Sequence, residues 1–511
     1  MERRKLTKED IDKVRNIDGF PHGTDEDIIA LSDAPYYTAC PNPFVEEFIK
    51  ENGTPYDEET DDYHREPFAA DVSEGKSDAI YNAHTYHTKV PYKAIMRYIL
   101  HYTNPGDIVL DGFCGTGMTG VAANMCEHPE SDFRLLLEND MPYIKWGRRY
   151  PVLNDLSTAA SFITRNYNSN VEVSKFIKEA ESVLAEAKKE CGWMYETEIG
   201  SDVGQMLMST KGTINYVVWS DIFICPQCGE EIVFYEAAAD KSTGKVSDEF
   251  SCPHCSAKLK KKDCEREFTT YFDEALNTSA TVVKQKPVLI NYQYGRKKYT
   301  KVPDTNDLEI IEKINNMDIP YWYPIVRMCE GKESRRNDKI GLTHTHHFFY
   351  KRTLMTLAKI YDLIQKSETA ELLRIMFTSQ IINISKMNRF RPQVSFPYNP
   401  LSGTMYVSSM ISEANPFNAY EGKIKKFAEA LSKNEGNCYC ASTGSTTQLL
   451  MPDNSCDYIF TDPPFGDNLN YSELSFLWEA WLKVSTKNEL EAIVNPTMGK
   501  ALLEYSGKAW R

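Results

Sequence analysis

The run Asp107-Ile108-Val109-Leu110-Asp111, followed at once by Gly112-Phe113-Cys114-Gly115-Thr116-Gly117, constrains this chain more than any other stretch. A short apolar run closing on an acid predicts a buried strand, and Val121 to Cys126 predicts the start of a helix. Strand, glycine turn and helix together form a loop on which a ligand can lie against bare backbone, because Gly115 and Gly117 remove the side chains that would hold it off. A tight turn with no ligand is the plain alternative. Asp111 narrows the choice of ligand. A carboxylate facing the turn repels phosphate, and no Lys-Ser/Thr pair follows the glycines, so the phosphate-gripping loop of nucleotide triphosphatases is not matched. A cofactor with a cationic amino-acid moiety, such as S-adenosylmethionine, suits the turn better. Cys114 inside the turn reads as a small apolar filler.

The next strand is expected to end in an acid that holds the ribose hydroxyls. Phe133-Arg134-Leu135-Leu136-Leu137-Glu138 and Tyr150-Pro151-Val152-Leu153-Asn154-Asp155 both qualify. Asp155 is preferred, because Leu156-Ser157 and the helical run TAASFI restart the β–α rhythm after it. Residues 127–149 are then a small insertion.

A second strand end lies far along the chain. Asp457 to Thr461 reads as a buried strand and runs into Asp462-Pro463-Pro464-Phe465. Two prolines cannot continue a strand ladder, so the main chain must leave the sheet there in a fixed, extended turn. Asp462 and the carbonyl of Pro463 become two acceptors side by side, matched to the two N–H donors of an exocyclic amino group. The ring of Phe465 can stack on a base. The chemistry implied is in-line methyl transfer to an amino nitrogen, driven by positioning and by stabilising the charge that develops on nitrogen. A base inside a duplex must be flipped out to reach such a site.

The motifs Asp111-x-Phe113-x-Gly115-x-Gly117 and Asp462-Pro463-Pro464-Phe465 together resemble the cofactor and catalytic motifs of amino-group DNA methyltransferases. Tyr86-His87-Thr88-Lys89-Val90-Pro91 resembles the extended piece that closes over the methionine end of the cofactor. The runs GRRYPVLNDLSTAASFI, YWYPIVRM, FFYKRTL and NYSELSFLWEAWL resemble prokaryotic, adenine-specific DNA methylases that contain a zinc ribbon, over most of the chain from about residue 80 onward. The resemblance implies S-adenosylmethionine bound by Lys89, Pro91, Asp111, Phe113, Gly115, Thr116, Gly117 and Asp155, and catalysis at Asp462, Pro463, Pro464 and Phe465. It implies transfer to adenine N6 in double-stranded DNA, with cytosine N4 as the near alternative, since Ser-Pro-Pro-Tyr is the commoner form in N4 enzymes. RNA guanine-N2 and protein glutamine methyltransferases use related motifs but seldom carry a zinc ribbon. A setting in restriction-modification or phage defence follows from the resemblance, with a restriction or defence-system subunit as a partner.

Cys225-Pro-Gln-Cys228 and Cys252-Pro-His-Cys255 supply four thiolates in Cys-x2-Cys pairs, the pattern of a closed structural zinc site. Cys264 is superfluous to it. His344, His346 and His347, in THTHHFFYKR, read as surface or helix-entry residues rather than a second metal site.

The expected fold is α/β, a Rossmann-like S-adenosylmethionine-dependent methyltransferase fold interrupted by a large insertion. The divisions are an N-terminal extension over 1–80, a cofactor-binding half over 81–165 and an insertion over 166–436. The last carries a helical arm, a zinc ribbon at about 218–265 and a helical region for target recognition. A catalytic half over 437–511 completes the chain. CYCASTGSTTQLL puts Ser442 or Thr443 where an acid often meets the cofactor adenine, leaving that contact unassigned. Little strand signal follows Phe465, so the sheet is expected to lack its C-terminal strands. A truncated product, a non-catalytic DNA-binding subunit or a half-enzyme needing a complementing C-terminal half are the matching alternatives.

No run approaches the ~18 apolar residues of a membrane span, and MERRKLTKEDIDKV is not a secretion signal. With thirteen cysteines in a chain lacking such a signal, metal binding or burial is expected before disulfides, in the cytoplasm. A net charge of -15 argues against coating nucleic acid by bulk electrostatics. It leaves room for local basic faces such as Gly295 to Lys301 and Lys386 to Arg391.

Overall fold

The computed structural model describes residues 1–57, 59, 61–199, 211–240, 245–392, 397–433 and 438–500. It divides into two compact units. Unit 1 comprises Met1–Lys178, Glu371–Ser379 and Lys423–Arg511, and unit 2 comprises Glu179–Ala370 and Gln380–Gly422.

Unit 1 is mixed α/β around a parallel sheet. Among the described residues the sheet has five strands, in the order Tyr37–Thr38, Cys440–Thr443, Tyr150–Asp155, Ile108–Asp111 and Tyr458–Ile459. Side chains alternate between the two faces of such a sheet, and the three inner strands are buried on both, which is why they read as near-continuous apolar runs. On one face Ile108, Leu110, Val152 and Cys440 pack with Val45, Phe48 and Ile49 of helix Val45–Asn52. On the other, Leu153 meets Gly120 of helix Met118–Met125 so closely that a Cβ there would lie 2.6 Å from Leu153 Cδ1. Helix Thr158–Asn168, capped by the Ser157 hydroxyl, is buried along its length. The buried strand expected over Asp457 to Thr461 is corrected to a two-residue edge strand, Tyr458–Ile459, with Ile459 59% exposed, because nothing among the described residues pairs with its outer edge.

The first 80 residues do more than precede the sheet. Tyr37–Thr38 pairs with Cys440–Thr443, and Asn42 Nδ2 donates to the carbonyls of Pro35 (3.0 Å) and Ala441 (2.9 Å). The leucine run at 133–138 is not a strand. It lies in helix Ser131–Asp140, where Phe133 and Leu137, one turn apart, are buried while Leu135 and Leu136 face solvent. An i,i+4 pair between Arg134 and Glu138 (2.8 Å) completes its outer face. Beyond Phe465 the chain forms helix Tyr471–Leu482 and a short 3-10 turn at Asn488–Leu490. Residues 501–511 lie outside the described residues.

Unit 2 is built on one long strand, Lys211–Ile224, flanked antiparallel by Gln285–Tyr294 and Met410–Ala414. Its core holds a bidentate ion pair, with Arg352 Nε and Nη2 2.8 and 2.6 Å from the two oxygens of Glu413. Glu413 also accepts from Trp219 Nε1 at 2.7 Å. Among the described residues no helix is long and apolar enough to cross a membrane.

Candidate functional site

The glycine turn sits at the carboxyl edge of the unit 1 sheet. Asp111 ends its strand with both oxygens engaged, one by the backbone N–H of Phe113 (3.1 Å) and the other by the Thr119 hydroxyl. Gly115 and Gly117 take the left-handed backbone, at φ +52° and +73°. Gly117 is packed solid, since a Cβ there would lie 2.7 Å from Thr164 Cγ2 and 2.9 Å from Thr164 Cα. Gly115 is open; its nearest neighbour would be Tyr86 Cε1 at 3.7 Å. One glycine closes the turn against the protein, and the other leaves its backbone bare. Asp155, at the end of the adjacent strand, ties itself to the turn. Its carboxylate accepts from the backbone N–H groups of Gly115 and Ser157, both at 2.8 Å.

Across the turn, Tyr458–Ile459 pairs with Val109 and Leu110, and the chain leaves the sheet after Phe460, whose N–H donates to Leu110 O at 3.0 Å. Asp462 and Pro464 then line a cavity together with Lys89, Asp111, Phe113, Gly115, Thr116 and Asp155. Burial pushes the carboxyls of Asp111 and Asp155 up to about 7, helped by the charges of Asp462 on the first and of Asp111 and Glu479 on the second. Glu491, a further lining residue, is pushed up to about 7 by burial, and burial raises Asp462 as well. So many carboxyls held back from ionising favour a cationic ligand, whose charge would return them to their ionised form. Lys89 is their counterpart. Its ammonium donates to the carbonyls of His84 (2.8 Å) and Tyr81, with no carboxylate in ion-pair range among the described residues. Burial, with the Lys423 charge adding to it, holds its pKa down to about 7. The hydroxyl of Thr116 is buried with no partner. One unpaired cation, several reluctant carboxylates, an orphaned hydroxyl and a bare backbone turn fit a ligand carrying both a carboxylate and positive charge.

The N6_N4_Mtase family model, described as DNA methylase, matches residues 12–128. The match supports an amino-group DNA methyltransferase. Its span holds Lys89 and the whole glycine turn. No curated protein and no solved structure matches the chain.

The other expected site residues stand around the cavity rather than lining it. Pro91 precedes helix Tyr92–Tyr102 as its N-cap, and Gly117 does the same for Met118–Met125. Pro463 lies between the two lining residues of its motif, and the Phe465 ring is 60% exposed, free to meet a large partner. Glu138, on its solvent-facing helix, is away from the cavity. Ser442 is occupied in the fold, accepting from the backbone N–H of Asn42 at 3.1 Å. Cys114 is buried, and burial pushes its thiol well up, as an apolar filler requires. Sequence reasoning missed Asp18, Ser445, Thr446, Thr447 and Glu491. Asp18 and Glu491 carry no local signal and arrive through tertiary contacts, whereas Ser445, Thr446 and Thr447 directly follow the strand Cys440–Thr443, just past the Ser442 or Thr443 considered for the adenine contact. The Tyr86 to Pro91 piece is held by stacking of His87 on Trp478 (5.3 Å between centroids) and by His87 Nε2 to Ser475 Oγ at 3.2 Å.

In unit 2 the cysteine pairs form two matching knuckles. Cys225 N–H donates to Glu230 O and Gly229 N–H to Cys225 O; Cys252 N–H donates to Ala257 O and Ser256 N–H to Cys252 O. Gly229 and Ser256 take the left-handed conformation at equivalent places, φ +75° and +63°. Cys225 and Cys255 sulfurs are 3.7 Å apart, and those of Cys228 and Cys252 3.8 Å. A tetrahedron with metal–sulfur bonds of about 2.3 Å has edges of about 3.8 Å, so the four thiols fit zinc. Cys264 stands aside, its sulfur 3.7 Å from Lys260 O.

The histidine reading is corrected in part. His346 and His347 are buried, and both Nε2 atoms meet Asp273 Oδ2, at 2.9 and 2.7 Å. These are hydrogen-bond lengths. His347 Nδ1 accepts from the backbone N–H groups of Thr343 and His344, both at 3.3 Å, which fixes the proton of the neutral ring on Nε2, pointing at Asp273. A metal-bound imidazole donates from its second nitrogen instead. The cluster is a buried hydrogen-bonded clamp, reached because Asp273 comes from a distant hairpin.

Proposed function

We propose that this chain is an S-adenosylmethionine-dependent DNA methyltransferase that modifies the exocyclic N6 of a flipped-out adenine. On this reading unit 1 is a Rossmann-like methyltransferase domain interrupted by an insertion that carries a zinc ribbon and the means of target recognition in double-stranded DNA. The observation that carries it is the convergence of the glycine turn, the Asp155 strand end and Asp462 on one cavity, where the ends of the three strands stand side by side.

Lys89 would hold the cofactor's carboxylate, and the Asp155 carboxylate its ribose. The turn at Gly115 offers backbone to the amino-acid arm. When bound, S-adenosylmethionine supplies an electrophilic methyl group. Asp462 and the Pro463 carbonyl accept the two N–H groups of the target amine, which turns the nitrogen lone pair towards the methyl donor. Asp462 stabilises the positive charge that grows on nitrogen and, its own pKa being raised by burial, is well suited to take the departing proton. The exposed Phe465 ring stacks on the flipped base. Four thiolates from Cys225, Cys228, Cys252 and Cys255 would bind a structural zinc ion.

The test is to incubate the chain with isotopically labelled methyl donor and mixed-sequence duplex DNA, then to identify the modified nucleosides by mass spectrometry. Labelled N6-methyladenine is expected. Asp462→Ala should cut its yield on the order of 100-fold or more while leaving donor binding intact. Labelled N4-methylcytosine would change the base and keep the mechanism. A folded, donor-binding chain that labels no nucleoside would overturn the assignment.

A further inference from the structure

The strand order sets an address for each part of a ligand in the unit 1 cavity. Along the carboxyl edge the sequence of ends is Tyr458–Ile459, Ile108–Asp111, Tyr150–Asp155, Cys440–Thr443. Neighbouring strands lie about 4.8 Å apart, so this row spans roughly 14 Å. If the transferable group sits by Asp462 at one end and the ribose by Asp155, the base of the cofactor falls beside the end of Cys440–Thr443. There the cavity is lined by Ser445, Thr446 and Thr447, and by one charged residue, Asp18.

Asp18 comes from the N-terminal segment, and that segment is firmly seated. Ser445 N–H donates to Asp18 O (3.1 Å), and His22 and Ser485 exchange two backbone bonds of 2.8 Å. Gly19, at φ +85°, approaches so closely that a Cβ would lie 2.3 Å from Ser445 N. The Asp18 carboxylate itself makes no ion pair and no side-chain hydrogen bond among the described residues. Hydroxyls both donate and accept, so the three neighbours cannot tell an amino group from a carbonyl. An ionised carboxylate only accepts. We propose that Asp18 reads the base of the cofactor, accepting a hydrogen bond from the exocyclic amino group of its adenine and rejecting a base with a carbonyl there. This rests on the reading of the cavity as an S-adenosylmethionine site.

The experiment measures equilibrium binding of S-adenosylhomocysteine and of its deaminated analogue, S-inosylhomocysteine, to the full chain and to Asp18→Asn and Asp18→Ala. The parent protein should prefer the adenosyl ligand by about tenfold or more, as befits a hydrogen bond to a charged group. Asp18→Asn should narrow or reverse that preference, because its amide can donate to the carbonyl of the inosyl base. Asp18→Ala should lose it. Equal weakening of both ligands would mean that Asp18 only shapes the loop, and unchanged binding would mean that it makes no contact; either result overturns the proposal while leaving the cavity assignment standing. Failure of the parent protein to bind either ligand would overturn the cavity assignment itself, and the role of Asp18 with it.

Discussion

Gly115 and Gly117 are two residues apart and share a backbone conformation, yet they answer to different demands. A methyl at Gly117 meets the Thr164 side chain and backbone at under 3 Å, in a packed region that cannot yield. Gly117→Ala should therefore destabilise the protein by about 2–4 kcal/mol, the sum of left-handed strain and overpacking, read as a lowered denaturant midpoint. A methyl at Gly115 meets nothing closer than 3.7 Å, so Gly115→Ala carries the strain alone, about 1–2 kcal/mol. It intrudes instead on the cavity, and its signature should be weakened binding of the methyl donor with the fold retained. Equal effects of the two substitutions on stability would contradict this division.

At the scale of the element, the two cysteine knuckles flank an apolar cluster that includes Phe223, Ile232, Phe234, Phe250 and Leu259. The strands Glu249–Ser251 and Lys258–Lys260 each bury only their middle residue, Phe250 and Leu259. Purified chain should carry about one zinc ion, and Cys252→Ser should lose it and unfold the ribbon, seen as metal content by mass spectrometry and as protease cleavage between residues 225 and 265. Full metal content in the variant would exclude the assignment. These knuckles were legible in the sequence because the spacing that makes them is local. The same holds for the glycine turn, whereas the apolar run before Asp462 showed a strand but not that it lies at the sheet edge, short and partly exposed. What was illegible is what the fold assembles from afar. Asp273 faces His346 and His347 across more than 70 residues of chain, so histidines that read as surface are buried. Asp18 reaches the cavity from the far end of the sequence, with no motif around it. The Phe133 to Glu138 run competed with the preferred Tyr150 to Asp155 because three consecutive leucines imitate a buried strand, whereas only the i,i+4 pair Phe133 and Leu137 is inside.

At the scale of the molecule, the cavity in unit 1 sets a pH dependence. Asp111, Asp155 and Glu491 ionise at about 7, and Lys89 loses its proton at about 7. As pH rises towards neutrality the carboxyls lose protons and attract the positive charge of the donor, so affinity climbs. Above neutrality Lys89 becomes neutral and releases the donor's carboxylate, so affinity falls. Equilibrium dialysis of labelled S-adenosylmethionine on both sides of neutrality should trace a maximum near pH 7. Lys89→Met should weaken binding at the maximum and abolish the fall on the alkaline side; an unchanged alkaline fall would remove Lys89 from the site.

The row of strand ends also has a consequence in time. Ile108–Asp111 and Tyr150–Asp155 can pair as soon as both have left the ribosome, but the neighbours that flank them come late: Gly444 follows Asn154 by 290 residues, and Asp457 follows Ile108 by 349. At about 5–20 residues per second, the half-built sheet waits roughly a quarter of a minute to a minute with both its long edges open. During that interval the nascent chain holds the glycine turn and Asp155 but neither Asp462 nor the Ser445 loop on which Asp18 settles, so the cavity is incomplete. Synthesis itself thus withholds the complete cavity at least until the chain has passed Asp462.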